Sequence, residues 1–376
     1  MAASRAAVTA ARKSLYDDYL DHIPLIMCME ETRYPKQFHV LTRGDYASPD
    51  LKQPVSPDVP VAVMPFPADA PRNRLGLARW TTDPKNPLTS RVAVNRLWMM
   101  CFGNGIVPTQ ENFGLQGDAP THQELLDTLS RDFVESGWDM KKLLKRIVTS
   151  ATFRQSSSNT AEKLERDPKN LLLARGPTYR LSGEAIRDQA LLAAGLLVEK
   201  SGGPSVKPWQ PPGIWSEAGA SGGDYTPDKG EGLYRRSLYT YRKRTAPPPN
   251  MLTLDAGSRE ICQARRLGTN TPLQPLVFLN DFSFFECARM LAKRVVAAKP
   301  ESPAAQYREA FQILACRPPT AVEEQALDEL FTAQKAHYEK DLPAAKAVCD
   351  EDNAHLASLT VLCSTLLAAD ATITNR

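Results

Sequence analysis

The sequence predicts a mainly α protein: a helical body with αα-hairpins, long Pro/Gly-rich loops, a few short strands and a C-terminal helical bundle. Three observations carry this. Apolar residues recur at three- and four-residue spacing through most of the chain after residue 73. Start and stop signals bracket those stretches, among them Thr121-His-Gln-Glu124, Ser182, Thr320-Ala-Val-Glu323 and the glycines at 103, 105 and 137. Thirty prolines against twenty glycines gather in the intervals, where proline can neither continue a helix nor fill a central strand.

Residues 1–24 read as an Ala-rich helix ending at His22-Ile23-Pro24. IMCME (26–30) and FHVLTRG (38–44) are short strand-like runs, and residues 54–67 form an extended proline-spaced arm. Helices follow at Asn73–Trp80 and Ser90–Phe102, the second stopped by Phe102-Gly103-Asn104-Gly105. Thr121-His-Gln-Glu124 is a capping box that opens LLDTLSRDFVESG, and Gly137-Trp138 turns the chain into DMKKLLKRIVTSATFRQ, which makes an αα-hairpin. Residues 159–167 are polar and read as a loop or a frayed helix. Ser182 caps a helix running to about Val198, with Glu184 in its first turn.

Residues 201–232 combine glycine, proline and tryptophan in a second long irregular zone. Arg235–Arg244 alternates aromatic and basic residues with a period near two, which reads as a short strand. Pro272 opens another helix. From Asp281 the segments 283–298, 303–316, 321–340 and 343–369 are amphipathic helices. The expected organisation is an N-terminal helix and Pro-rich arm (1–72), a main domain (73–282) and a C-terminal helical bundle (283–376).

Composition excludes several classes. A net charge of +3 is too small to argue for nucleic acid. No apolar run reaches the roughly 18 residues of a membrane span. The N-terminus has basic residues but no continuous apolar stretch of the signal-peptide kind, so the chain reads as cytoplasmic or as a piece of something longer. The seven cysteines are scattered and form no C-x-x-C, so zinc-knuckle, thioredoxin and c-type haem spacings are absent; Cys287, Cys316 and Cys363 sit among helical apolar residues. No Walker loop, dinucleotide fingerprint, G-x-S-x-G or H-E-x-x-H occurs. The five histidines form no H-x-x-x-H, and His122 beside Asp118 and Glu124 reads as a helix-start residue rather than a metal ligand. No metal site and no cofactor are expected.

Several blocks in order carry a resemblance. They are NRLGLARW (73–80), NPLTSRVAVNRLW (86–98), FGNGIVPTQENFGLQGDAPTHQELLD (102–127), ESGWDMKKLLKRIVTSATFRQSS (135–157) and RLSGEAIRDQALLAAGLL (180–197). GGPSVKPWQPPGIW (202–215), YRRSLYTYRKRTAPPPNMLTLDAGSRE (234–260) and TNTPLQPLVFLND (269–281) follow. Over residues 70–320 the chain resembles the planctomycete-type domain of unknown function 1553. The resemblance implies context rather than chemistry. That domain usually ends a large exported protein, behind a partner domain and often a cytochrome-c-like or carbohydrate-binding module. It implies an exported or periplasmic setting if the chain is part of a longer protein, and it brings no established catalytic residues. This chain departs from the long form in starting near the interdomain arm and in lacking a haem motif.

The residues that could carry chemistry each have two readings. Arg91 and Asn95 share a helical face beside Arg96, and could hold a carboxylate, a sulfate or sugar hydroxyls, or else pin the neighbouring glycine turns. Glu184, Arg187 and Asp188 form either an acid–base face or a salt-bridged one. Arg235, Arg236, Tyr239 and Tyr241, followed by Arg242, Lys243 and Arg244, interleave stacking with charge, as a binding strand or as a packed one. Trp209 and Trp215 are sugar platforms or loop anchors. Thr269, Thr271, Gln274 and Asn280 gather around one helix as caps and an interior hydrogen-bond bridge.

The expected function is a non-catalytic structural or binding module of an envelope-associated multidomain protein or complex. It would contact an upstream domain or separate subunit, or a polysaccharide, through the Arg91 stripe and the Trp209–Tyr241 region. The first alternative is a polysaccharide-active hydrolase or lyase using Glu111, Asp118 and Glu184 as acid–base groups. The second is an accessory to a cytochrome-type redox partner that itself carries the haem.

Overall fold

Side-chain caps decide where many of the helices begin. In the computed structural model, which describes residues 2–17, 26–34, 36–219, 224–257, 259–266, 268–300 and 302–375, these caps delimit a mainly α chain with sixteen α-helices and four short strands among the described residues. The chain divides into two compact units, Met1–Ser90 and Arg91–Arg376.

The first unit holds α1 (Ala2–Leu15), a hairpin of β1 (Phe38–Leu41) and β2 (Pro49–Val55), and α2 (Arg74–Thr81). The expected end of the first helix at residues 22–24 lies outside the described residues. β1 and β2 pair antiparallel, with an irregularity between His39 and Val40. Asp45 tightens their connection, accepting from the Ala47 amide and the Ser48 hydroxyl. The FHVL run is therefore a strand, whereas IMCME at 26–30 forms none. Asn73 caps α2 by accepting from the Gly76 amide.

In the second unit α3 (Thr89–Phe102), α4 (Gln123–Glu135) and α5 (Met140–Val148) build one core. Val94, Trp98 and Phe102 of α3 meet Leu126, Leu129 and Phe133 of α4 and Leu143 and Ile147 of α5. Gly137 and Trp138, both at positive φ, turn α4 into α5, and Asp139 caps α5 on the Lys142 amide. The expected capping box at Thr121 does not form. The Thr121 hydroxyl donates to the Ile106 carbonyl instead, and α4 starts after His122 without a side-chain cap.

The chain continues through α6 (Ala161–Arg166), β3 (Tyr179–Arg180) and α7 (Gly183–Ala194), then α8 (Ile214–Glu217), α9 (Pro249–Thr253) and α10 (Leu273–Asn280). Next come α11 (Phe282–Ala298), α12 (Pro303–Ala315), α13 (Ala321–Tyr338), α14 (Leu342–Cys349), α15 (Ala354–Ala368), α16 (Asp370–Ile373) and β4 (Thr374–Asn375). Ser182 caps α7 as expected, and Thr320 with Glu323 closes a complete capping box on α13.

The second core centres on α15, buried nearly all round, which packs against α10 to α14. Leu359, Leu362 and Cys363 of α15 face Ala288, Leu291, Ala292 and Val295 of α11 within it. Ile186, Ala190 and Leu191 bring α7 into the same core, and β3 pairs β4 antiparallel, Tyr179 with Asn375.

Two segments differ from the periodicity. Residues 343–369 are two helices, because Asp350 takes a left-handed conformation that ends α14 and Asn353 caps α15. Residues 235–244 are not a strand. They form a 3-10 turn at Ser237–Tyr239 flanked by isolated bridges, Val198 with Arg235 and Val206 with Thr240, since Arg235 points inward and leaves no continuous edge. Among the described residues no helix is long and apolar enough to cross a membrane.

Candidate functional site

The polar residues of α3 are tied to their own unit. Asn95, only 1% exposed, donates to the Val107 carbonyl at 3.1 Å and accepts from the Val107 amide at 2.8 Å. The chain must pass close to the Asn95 side chain, and a Cβ on Gly105 would lie 2.6 Å from its Nδ2. Arg91 reaches Asp127 through Nε and Nη2, each at 2.7 Å, and Gln123 donates to the same carboxylate. These hydrogen bonds hold the Asp127 carboxyl below its usual range, Gln123 first and Arg91 second. Arg96 is exposed.

The aromatic–basic segment is packed. Arg235 donates to the carbonyls of Lys200, Gly202 and Pro204, and its guanidinium lies 3.8 Å from the Tyr239 ring centroid. The Tyr239 hydroxyl accepts from the Gly202 amide. Together they staple the 200–204 loop. Trp215 is 5% exposed, with Lys243 Nζ 4.2 Å from its centroid and the Tyr225 ring against its edge, so its faces are occupied. Trp209, half-buried, packs on Phe282. Tyr241 and Arg236 remain exposed, Arg236 lying 4.0 Å from Asp188. Arg187 is buried and donates to the carbonyls of Leu233 and Arg235 and to Ser237; burial lowers its pKa, opposed first by Asp188.

The open volume lies elsewhere. A cleft of about 690 Å³ is lined by Asn104, Thr109 and Asp118 on one side and by Asn159, Lys169, Arg175 and Thr178 on the other, with Arg265 beside them. The first wall is the turn after α3. Thr109 accepts from the Asp118 amide and donates to the Asn112 carbonyl. Gly117 lets this turn close, since a Cβ there would fall 1.8 Å from the Asn112 oxygen.

The second wall is a loop that satisfies its own backbone. Thr160 caps α6, and the Asp167 carboxylate accepts from the amides of Leu171 and Leu172. Asn170 brackets Arg175, taking its amide proton and donating to its carbonyl. Arg175, 5% exposed, donates to the carbonyls of Asp167 and Pro168 at 2.9 Å. The wall is thereby preformed, and its exposed groups Asn159, Lys169 and Thr178 are held on a locked backbone.

The three carboxylates singled out by sequence occupy different surroundings. Asp118 lines the cleft. Glu111 pairs with the cleft-lining Arg265 at 3.4 Å. Glu184 is mostly buried among three arginines, Arg266 at 2.6 Å, Arg242 at 2.8 Å and Arg259 at 4.0 Å. Burial lowers the Arg242 pKa, and Glu184 opposes that shift. Arg265 and Arg266 are neighbours in sequence, so the cleft rim and the Glu184 cluster share one strip of chain. Nearby, Gln274 is fully buried and bridges the Thr253 carbonyl to Asp255 and Thr269, an interior bridge as its sequence context implies.

Sequence reasoning missed the cleft residues Asn104, Asn159, Lys169, Arg175 and Arg265. Asn104 reads as a helix stop, and 159–167 as a polar loop or a frayed helix. No local signal marks them, since 167–176 holds one Asp, one Asn and one Arg around a run of three leucines. Among the described residues no group of three or more His, Cys, Asp or Glu side chains could hold a metal.

A family model described as PSD1, protein of unknown function (DUF1553), matches residues 73–331. No curated protein and no solved structure matches the chain.

Proposed function

Since this chain belongs to the DUF1553 family over a stretch that contains every residue lining the cleft, we propose that the cleft binds a hydroxyl-rich, saccharide-like ligand and that the protein acts as a binding module. The observation that carries the reading is the lining itself. Side-chain amides of Asn104 and Asn159 and the hydroxyl of Thr178 offer donors and acceptors together, which is what vicinal hydroxyls require. Leu164, Leu171 and Pro108 supply small apolar surface between them. Trp209, Trp215, Tyr239 and Tyr241 do not line this cleft, so recognition rests on hydrogen bonds rather than ring stacking.

The hydrolase or lyase reading needs two carboxylates working across a substrate. Asp118 faces the cleft, but Glu111 does not line it and Glu184 is buried among arginines, which favours binding over cleavage. The resemblance supports an envelope-associated setting, with an upstream domain or a separate subunit as partner. A redox accessory role would place the haem on that partner.

Calorimetric or NMR titration of the full chain with a panel of neutral and acidic oligosaccharides tests this. Saturable binding is expected, and the pair Asn159→Ala with Thr178→Ala should weaken it about tenfold through the lost hydrogen bonds. Binding by no member of the panel, or an unchanged affinity in the double variant, would sink the reading. Cleavage products in the same mixtures would replace it with the hydrolase or lyase alternative.

A further inference from the structure

We propose that the ligand of this cleft is anionic, a saccharide carrying a carboxylate or a sulfate ester, and that its acidic group binds Arg265 by displacing Glu111. The inference rests on the saccharide-cleft reading above. It begins from the charges that line the cleft: Lys169, Arg175 and Arg265 against Asp118 alone.

Arg175 supplies a buried positive charge. Its guanidinium donates to the main-chain carbonyls of Lys163, Asp167 and Pro168. Its neighbour Asp167 turns its carboxylate to the amides of Leu171 and Leu172 instead. Carbonyl partners solvate a guanidinium without neutralising it, but the amide-bound Asp167 carboxylate behind the same wall offsets that charge, so the accessible positive charge of this wall is that of the exposed Lys169.

Arg265 is held loosely. Its contact with Glu111 is 3.4 Å long, and both side chains are about half exposed. An exposed pair of this kind contributes little and exchanges easily. A guanidinium fork offers a carboxylate or sulfate two parallel hydrogen bonds, a better fit than the Glu111 contact. Arg266, the next residue in the chain, joins Arg242 and Arg259 around Glu184, a cluster of three guanidinium groups on one carboxylate. Glu111 is therefore a resident stand-in for the ligand's acidic group.

The test uses matched oligosaccharides of one length in three forms, neutral, uronic-acid and sulfated, titrated into the full chain at low and high salt. The acidic forms should bind about tenfold or more tighter than the neutral form, an advantage that shrinks in high salt. Arg265→Gln should bring the acidic forms down to the neutral affinity, and Glu111→Gln should tighten them. Both positions are exposed enough that thermal melting should confirm intact folding, and Lys169→Gln provides a second loss variant. Preference for the uronic-acid form over the sulfated one, or the reverse, identifies which anion is the natural one, and either supports the proposal. Equal affinity for all three forms, with Arg265→Gln and Glu111→Gln both silent, overturns the anionic ligand while leaving the saccharide cleft standing. Binding by none of the three overturns the cleft reading and this proposal with it.

Discussion

Asn95 puts an amide at a helix position that lies in the middle of an apolar core, beside Val94 and Trp98. Its two hydrogen bonds to Val107 satisfy one amide and one carbonyl that the turn after α3 buries. Asn95→Ala should therefore cost about 3 kcal/mol, the penalty of leaving those two groups unpaired, and urea denaturation would measure it. A loss below about 1 kcal/mol would mean that Val107 finds other partners. At this scale the sequence was informative about type and silent about partner. The four-residue spacing of Arg91 and Asn95 was plain, but Asp127 and Val107 come from other segments. The same holds for Arg265, an unremarkable arginine until the fold sets it beside Glu111 and the cleft.

Local signals were most reliable where a helix start depends on residues three or four apart. The Thr320–Glu323 capping box of α13 is complete, and Arg317 adds a two-pronged ion pair at 2.6 and 2.7 Å. These contacts, Arg317 first and the Thr320 amide and hydroxyl after it, lower the Glu323 pKa from 4.5 to about 2 despite partial burial. Because the folded value lies below the unfolded one, the stabilisation is full above pH 4.5 and is lost as pH falls toward about 2. Wild type and Glu323→Gln should thus differ in melting temperature at neutral pH and converge near pH 2. A difference that persists unchanged at low pH would count against the ion pair as its source. The Thr121–Glu124 motif has the same spacing and fails, because the Ile106 carbonyl takes both the amide and the hydroxyl proton of Thr121 and the helix starts one residue later, with His122 at its N-cap and Glu124 at the second position. A local motif holds only while no distant group competes for its atoms.

Across the whole molecule, burial sorts the cysteines. Cys28, Cys262 and Cys316 are exposed, while Cys101, Cys287, Cys349 and Cys363 are buried. Burial pushes the Cys287 thiol up to about 12 and raises those of Cys101 and Cys363. A thiol titration of the native protein should show three fast groups, with the other four reacting only on unfolding. Fast reaction of a fourth thiol under native conditions would contradict the packing around α11 and α15. Cys316 reads from its apolar neighbours as a core residue, yet it ends α12 in a left-handed conformation and faces outward. The sequence by itself determined the helix-rich class, most helix boundaries, the complete cap on α13 and the family, because these depend on spacing and on residues close along the chain. Only the tertiary structure decided where the candidate site lies. The cleft joins residues 104–118, 159–178 and 265, whose proximity comes from how separate segments pack, and no periodicity along a single chain encodes that. The same packing turned Trp215 and Arg235 into loop anchors and left Lys169 and Arg265 facing open volume, because burial and partner geometry, rather than residue type, determine which charges remain accessible to a ligand.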